Sequence, residues 1–184
     1  MDHLFEIIPG WFKFAPAYER AVTEAADGAL FVEVGCFKGR STAFLGVEIL
    51  NSGKRIALHC VDYWDAPFEP DLLATFTANL APLVSRGLSL TMHRETSTLA
   101  ATRFADRSVD FVWLDAGHRY EEVMADLQAW MPKLRDGGII GGDDYGFLGV
   151  SAAVKDALGN DFETGDLDNW PWWRHRAKPG RRIA

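Results

Sequence analysis

Cysteine is scarce in this chain: Cys36 and Cys60 are the two among 184 residues. They fall at or near the ends of expected strands, without metal-finger or redox spacing. A disulfide framework is therefore excluded, and both read as buried thiols of a reducing compartment. Long apolar runs are missing as well. Nowhere do about 18 consecutive apolar residues occur, so no membrane span is expected. Positive charge is in deficit, with 19 Lys and Arg against 26 Asp and Glu and a net charge of −7. A nucleic-acid surface needs a positive field, so nucleic acid is not an expected partner. The last eleven residues are a local exception, holding Arg174, Arg176, Lys178, Arg181 and Arg182, and read as a short solvated terminus. The start, Met1-Asp2-His3, has no basic region followed by an apolar run, so no secretory signal is expected and the cytoplasm is the expected location. No internal repeat or low-complexity tract occurs.

What is there is ordinary in bulk and specific in detail. Hydrophobic residues make up 48% and charged residues 24%, as in a globular protein with a sizeable core. The length suits a single domain over 1–184, with residues 1–28 as an N-terminal cover.

The organising stretch runs from Leu30 to Thr42. Apolar and β-branched residues, interrupted by Glu33, lead into Gly35 and Gly39, and a helix-compatible segment from Ser41 to Leu50 follows at once. That is a strand, a tight turn and a helix start, with Ser41 or Thr42 available as cap. Open α/β sheets bind nucleotide-like ligands at such turns. The spacing is Gly-x-x-x-Gly and not Gly-x-Gly-x-x-Gly, which counts against a dinucleotide; an ordinary turn that needs glycine only for its geometry is the alternative.

Further strands are expected at Arg55–Val61, Gly87–Met92, Val109–Leu114 and from Ile139 onward. Helices are expected over Tyr18–Ala26, Asp71–Val84, from a Ser97 cap to Phe104, over Glu121–Leu134 and over Gly149–Leu158. Pro67 and Pro70 punctuate a loop. Val123, Leu127, Trp130 and Leu134 form an amphipathic stripe that belongs to the core. Asp161–Gly165 and Trp170–Arg176 could pair as a terminal hairpin. Strands alternating with helices imply an α/β, doubly wound, Rossmann-like and mostly parallel seven-stranded sheet with that antiparallel hairpin at its end.

Acids recur at the carboxyl ends of these strands: Asp62, Asp115, Asp143 and Asp144. Asp115 and the Asp143/Asp144 pair follow neighbouring strands, so their side chains could converge. Converging carboxylates repel unless a hard divalent ion joins them, and oxygen ligands favour Mg²⁺, Ca²⁺ or Mn²⁺ over zinc. A turn cap before Gly146 is the plainer use of Asp143 or Asp144.

With these residues in view, the chain resembles a class I S-adenosylmethionine-dependent methyltransferase. The resemblance rests on Ile8-Pro9-Gly10-Trp11, on Val32 to Thr42, on Val61-Asp62-Tyr63-Trp64, on Leu114 to Val123 and on Asp136 to Tyr145, in the right order over roughly residues 7 to 158. The branch it is most similar to is that of small-molecule O-methyltransferases, related to the catechol and caffeoyl-CoA enzymes and to macrolide and aminocoumarin sugar methyltransferases. The resemblance implies cofactor contacts from Glu33, Gly35, Cys36, Phe37, Gly39, Ser41 and Thr42 around the glycine turn. It implies ribose contact from Asp62, with Tyr63 and Trp64 beside it, and adenine contact from the segment of Thr96 and Ser97. Asp115, Ala116 and His118 would lie near the cofactor too. Trp64 would stack on adenine or serve as core.

In metal-dependent members the ligands fall at Asp115, Asp143 and Asp144, and Mg²⁺ or another hard divalent cation would hold an acceptor hydroxyl there. His118 stands where the catechol enzymes place a lysine base, and an imidazole can take a hydroxyl proton; a loop histidine bonded to the backbone is the alternative. Asp115 and His118 are thus the implied catalytic residues and a small-molecule hydroxyl the implied acceptor. The Trp170-Pro171-Trp172-Trp173 segment could wall an acceptor pocket, form the contact of a homodimer, or lie in the core of the last strand.

Overall fold

The computed structural model of the chain describes residues 1–66 and 69–178. Pro67, Arg181 and Arg182 lie outside the described residues.

A sheet of seven strands forms the frame. In chain order these are β1 (Leu30–Val34), β2 (Ala57–Asp62), β3 (Ser89–Arg94), β4 (Val109–Leu114), β5 (Leu134–Gly142), β6 (Glu163–Leu167) and β7 (Trp170–Arg176). The spatial order is β3-β2-β1-β4-β5-β7-β6. The first five strands are mutually parallel, and β7 lies antiparallel between β5 and β6. This is the doubly wound sheet with a terminal hairpin that the alternating pattern implies. The order reverses on either side of β1, which opens a crevice at the carboxyl ends of β1 and β4.

Helices α1 (Ala15–Glu24), α2 (Arg40–Ser52), α3 (Leu72–Val84), α4 (Ser97–Ala101), α5 (Tyr120–Trp130) and α6 (Leu148–Leu158) complete the chain. Alternation along the strands divides the core between the two faces of the sheet. Phe31, Phe111 and Trp113 point to the side that holds Phe14, Tyr18, Leu45 and Phe76. Val32, Val34, Val112 and Leu114 point to the side that holds Leu127, Trp130 and Val154. A strand buried on both faces has no polar position to spare, yet Glu33 on β1 is fully buried. Its two carboxylate oxygens take the Tyr18 hydroxyl at 2.8 Å and the Thr42 hydroxyl at 2.5 Å. Burial pushes the Glu33 carboxyl up and also pushes the Tyr18 phenol up, with Glu33 as its second cause.

Several boundaries differ from the sequence expectation, each for a local reason. Helix α1 starts at Ala15 and takes Pro16 into its first turn, where a missing N–H costs nothing. Helix α5 stops at Trp130, not Leu134, because Pro132 cannot continue it. The fifth strand consequently begins at Leu134, not Ile139, and absorbs Asp136-Gly137-Gly138 as an irregularity in its pairing with β4. Thr96, not Ser97, caps α4, its hydroxyl accepting from the Leu99 amide at 3.0 Å, and α4 ends at Ala101 rather than Phe104. Gly39, not Ser41 or Thr42, stands at the cap position of α2.

Candidate active site

The strand tips surround a cavity of about 810 Å³. Its floor is the turn after β1. Gly35 has φ +86° and lies so close to β4 that a Cβ would meet the Asp115 carbonyl oxygen at 2.0 Å. Only glycine allows both the left-handed backbone and that approach. Cys36 and Phe37 continue the turn, and their amides donate to Asp62 Oδ2, each at 2.8 Å. The Trp64 amide donates to Asp62 Oδ1 at 2.7 Å. Phe37 and Trp64 both sit at φ +45°, a costly backbone for side-chain-bearing residues. Asp62 thus ties the β1 turn to the β2 turn, with lone-pair capacity left for a ligand hydroxyl.

The other end is acidic. Asp115 follows β4, and Asp143 and Asp144 follow β5. His118 Nε2 lies 2.6 Å from Asp144 Oδ2. One ligand atom each from Asp115, His118 and Asp144 falls within 4.8 Å of the others. Of the expected trio of aspartates, Asp115 and Asp144 fall in this group together with His118. Asp143 turns one oxygen to the Trp170 indole N–H at 3.1 Å, while its Oδ1 is buried without a partner. Burial, joined by the charges of Asp143 and Asp144, pushes the Asp115 carboxyl well above the usual range. Burial pushes Asp143 up to about 7. It pushes Asp144 up as well, against the opposing pull of His118. Crowded carboxyls of this kind favour a proton or a cation among them.

Between the two ends the wall is aromatic and partly open. Phe147 stacks on the His118 ring with centroids 5.1 Å apart and planes 12° apart. Trp11, Tyr63 and Trp170 also line the cavity. On the far side Thr96, Ser97 and Asp126 complete it.

Of the sequence candidates, Gly35, Cys36, Phe37, Ser41, Asp62, Tyr63, Thr96, Ser97, Asp115, Ala116, His118, Asp143 and Asp144 line this cavity. Glu33, Gly39, Thr42 and Trp64 do not. Glu33 and Thr42 satisfy each other on the opposite face of the sheet. Gly39 faces Leu80 and Phe76, which leave no room for a Cβ. Trp64 is core and not a stacking wall: it is 3% exposed, its ring packs on Phe76, and its indole donates to the Phe37 carbonyl at 3.1 Å. Cys36 and Cys60 are buried free thiols, as expected.

Phe147 and Asp126 went unnoticed in the sequence. Phe147 carries no local signal. Asp126 does: it is a carboxylate set among Val123, Leu127 and Trp130 on the buried side of α5. Trp172 and Trp173 are buried, so the Trp-rich segment divides between core and cavity rim. Among the described residues, no helix is long and apolar enough to cross a membrane.

A family model described as a methyltransferase domain matches residues 32–145. No curated protein matches the sequence. Solved structures share the fold. A putative rRNA methylase from Clostridium thermocellum aligns with a TM-score of 0.68 at 18% identity, over 94% of this chain and 100% of its own. A putative O-methyltransferase from Klebsiella pneumoniae aligns with 0.66 at 14% identity, over 93% and 84%. A TDP-rhamnose 3′-O-methyltransferase of calicheamicin biosynthesis aligns with 0.62 at 18% identity, over 91% and 77%. At these identities the likeness is one of fold, and the acceptors those names carry differ.

Proposed function

Because the chain belongs to the methyltransferase-domain family, we propose that it transfers the methyl group of S-adenosylmethionine to a hydroxyl of a small molecule, sugar or phenol-like, with help from a divalent cation. The observation that carries this reading is a single cavity joining the Asp62-anchored turns to the Asp115–His118–Asp144 group. Its volume suits a nucleoside-sized cofactor plus a modest acceptor. The acidic end suits a positively charged sulfonium. Three crowded carboxyls with raised pKa values, one carrying a buried unpartnered oxygen, suit a hard cation.

When bound, S-adenosylmethionine supplies an electrophilic methyl group, and the cation would supply charge that holds and acidifies the acceptor hydroxyl. Asp115, Asp143 and Asp144 would hold the cation. His118 is itself within ligand distance of Asp115 and Asp144, and a nitrogen donor would tilt preference from Mg²⁺ towards Mn²⁺ or later metals. In the role we assign it, His118 takes the proton that leaves the acceptor oxygen at Nδ1, the ring nitrogen that Asp144 does not engage. Asp62 accepts from the ribose hydroxyls. Phe147 holds the His118 ring, and with Trp11 and Trp170 it offers flat apolar surface to the acceptor and excludes water. The rest is positioning, because methyl transfer is an in-line displacement.

A small acceptor is favoured over nucleic acid by charge. The net charge is −7. Of the cavity's Lys and Arg side chains, Lys38 is paired with Glu69 at 2.6 Å and Arg40 Nη1 donates to the Ile8 carbonyl at 2.8 Å. A second reading keeps the cofactor and dispenses with metal. The 2.6 Å His118–Asp144 contact favours it, since a carboxylate that orients an imidazole is a sufficient base.

The test is calorimetric titration with S-adenosylhomocysteine and with NAD, followed by methyl transfer to a panel of phenols and sugars with Mg²⁺, Mn²⁺ or EDTA. Binding of the homocysteine compound alone and loss of turnover in EDTA are the expected results. Turnover that survives EDTA selects the metal-free reading. Tight NAD binding without a response to S-adenosylhomocysteine overturns both.

A further inference from the structure

The β6–β7 hairpin reaches the acidic end of the cavity, and its tip has little freedom. Leu167 pairs with Trp170 across the loop Asp168-Asn169, and both loop residues have left-handed backbone, at φ +57° and +63°. That is the tight hairpin turn whose twist matches its strands, and Asp and Asn tolerate it. The Asn169 amide donates to Asp166 Oδ1 at 2.8 Å, and Lys13 of the N-terminal segment reaches Asp168 at 2.7 Å. The Tyr145 amide donates to the Pro171 carbonyl at 2.9 Å, which clasps the loop after β5 against the start of β7. That loop carries Asp143 and Asp144, the latter at φ +58°. Trp170 stands at this junction. Its indole N–H donates to Asp143 Oδ2 at 3.1 Å and faces the Asp144 carboxyl as well. An indole N–H only donates and brings no charge. A Lys or Arg in its place would answer the carboxylates with a charge of its own and compete with a cation. The indole holds one oxygen and leaves that demand unmet, and Asp143 Oδ1 stays buried without a partner.

We infer that Trp170 is a positioning residue for a divalent cation: its N–H fixes the Asp143 carboxylate, and with it the Asp143–Asp144 pair, so that the remaining oxygens are free for the ion. The inference rests on the reading in which a cation assists the reaction. It separates Trp170 from Trp172 and Trp173, which are buried in the core. It also gives the hairpin a task at the site, since the turn and the Tyr145–Pro171 bond set where the indole lies relative to the two acids. Partners of this kind are costly to remove: losing the hydrogen-bond donor behind a metal ligand lowers metal affinity by about 10- to 100-fold.

The experiment titrates Mn²⁺, and separately S-adenosylhomocysteine, into the wild type, Trp170→Phe and Trp170→Gln by calorimetry. Trp170→Phe keeps a flat ring and loses the donor. Trp170→Gln loses the ring and keeps an N–H the same number of bonds from Cα. Trp170→Phe should weaken Mn²⁺ binding by about 10- to 100-fold, and Trp170→Gln should stay within about threefold of the wild type. Affinity for S-adenosylhomocysteine, set at the Asp62 end, should move by less than about twofold in both. Wild-type Mn²⁺ affinity in Trp170→Phe, a Trp170→Gln no tighter than Trp170→Phe, or an equal loss of Mn²⁺ and S-adenosylhomocysteine binding overturns the inference and leaves the cation reading intact. A wild type that binds no Mn²⁺ at millimolar concentration overturns both together. Unfolding curves without metal identify a variant that has lost its fold; Trp170→Leu then replaces Trp170→Phe as the variant without a donor, and Trp170→His replaces Trp170→Gln as the one that keeps it.

Discussion

The two ends of the cavity treat their carboxylates in opposite ways. At the glycine turn, Asp62 receives three backbone amides at 2.7 to 2.8 Å, and its charge is answered by the chain itself. Beyond β4 and β5, Asp115, Asp143 and Asp144 crowd together with raised pKa values, answered by one histidine and one indole. The first end is finished before any ligand arrives. The second is left short of positive charge. A site that binds a cofactor firmly and then performs chemistry on a passing acceptor benefits from this division. Preorganised backbone dipoles cost no rearrangement on binding, whereas under-neutralised acids keep affinity in reserve for a cation or a proton.

Breaking the acidic end should have the largest effect. Asp144→Ala removes the partner of His118 and one of the proposed cation ligands, and turnover should fall by about 10² to 10⁴ while S-adenosylhomocysteine affinity changes far less. Steady-state rates beside calorimetry check this, and an equal loss of both would merge the two ends into one structural unit. Gly35→Ala strikes the join between them, because its Cβ would lie 2.0 Å from the Asp115 carbonyl. A loss of roughly 2–4 kcal/mol in urea unfolding is expected, together with loss of cofactor binding.

The pH dependence of stability sharpens the contrast at the far wall, beside α5. Burial holds the folded Asp126 carboxyl at about 6 against an ordinary 3.8. Protonated Asp126 therefore favours the fold below about pH 4, and that contribution is lost as pH rises through about 6. The difference amounts to up to about 3 kcal/mol. Asp126→Asn should flatten unfolding free energy against pH in this window, and a curve that keeps the wild-type slope would contradict the assignment. The smallest effect belongs to Trp64→Phe, which loses a hydrogen bond to the Phe37 carbonyl. It should cost about 1 kcal/mol of stability and leave the Kd for S-adenosylhomocysteine within about twofold. A large drop in affinity would return Trp64 to the cavity.

Much of the scaffold was legible in the chain because its signals are local. Strand tips ending in Asp62, Asp115 and Asp143 are written in apolar runs that stop at an acid, and Gly35 announces a turn. Boundaries failed where one residue overrides a pattern, as Pro132 does at the end of α5. The site was legible to the level of which loops meet. It was not legible to the level of which side chains face inward. Nothing in Glu33-Val34-Gly35 says that Tyr18 and Thr42 will claim the carboxylate, since Tyr18 comes from a helix before the strand. Trp64 could be assigned to core only once Phe76 stood against its ring.

The order of apolar runs, glycines and strand-end acids determined the doubly wound sheet and the place of its crevice, because periodicity and turn chemistry act over a few neighbouring residues. The partnership of His118 with Asp144, the withdrawal of Asp143 to Trp170 and the burial of Asp126 beside Ser97 were decided by packing between distant segments. Hydrogen-bond direction and desolvation depend on what arrives from elsewhere in the fold, and no local pattern carries that information.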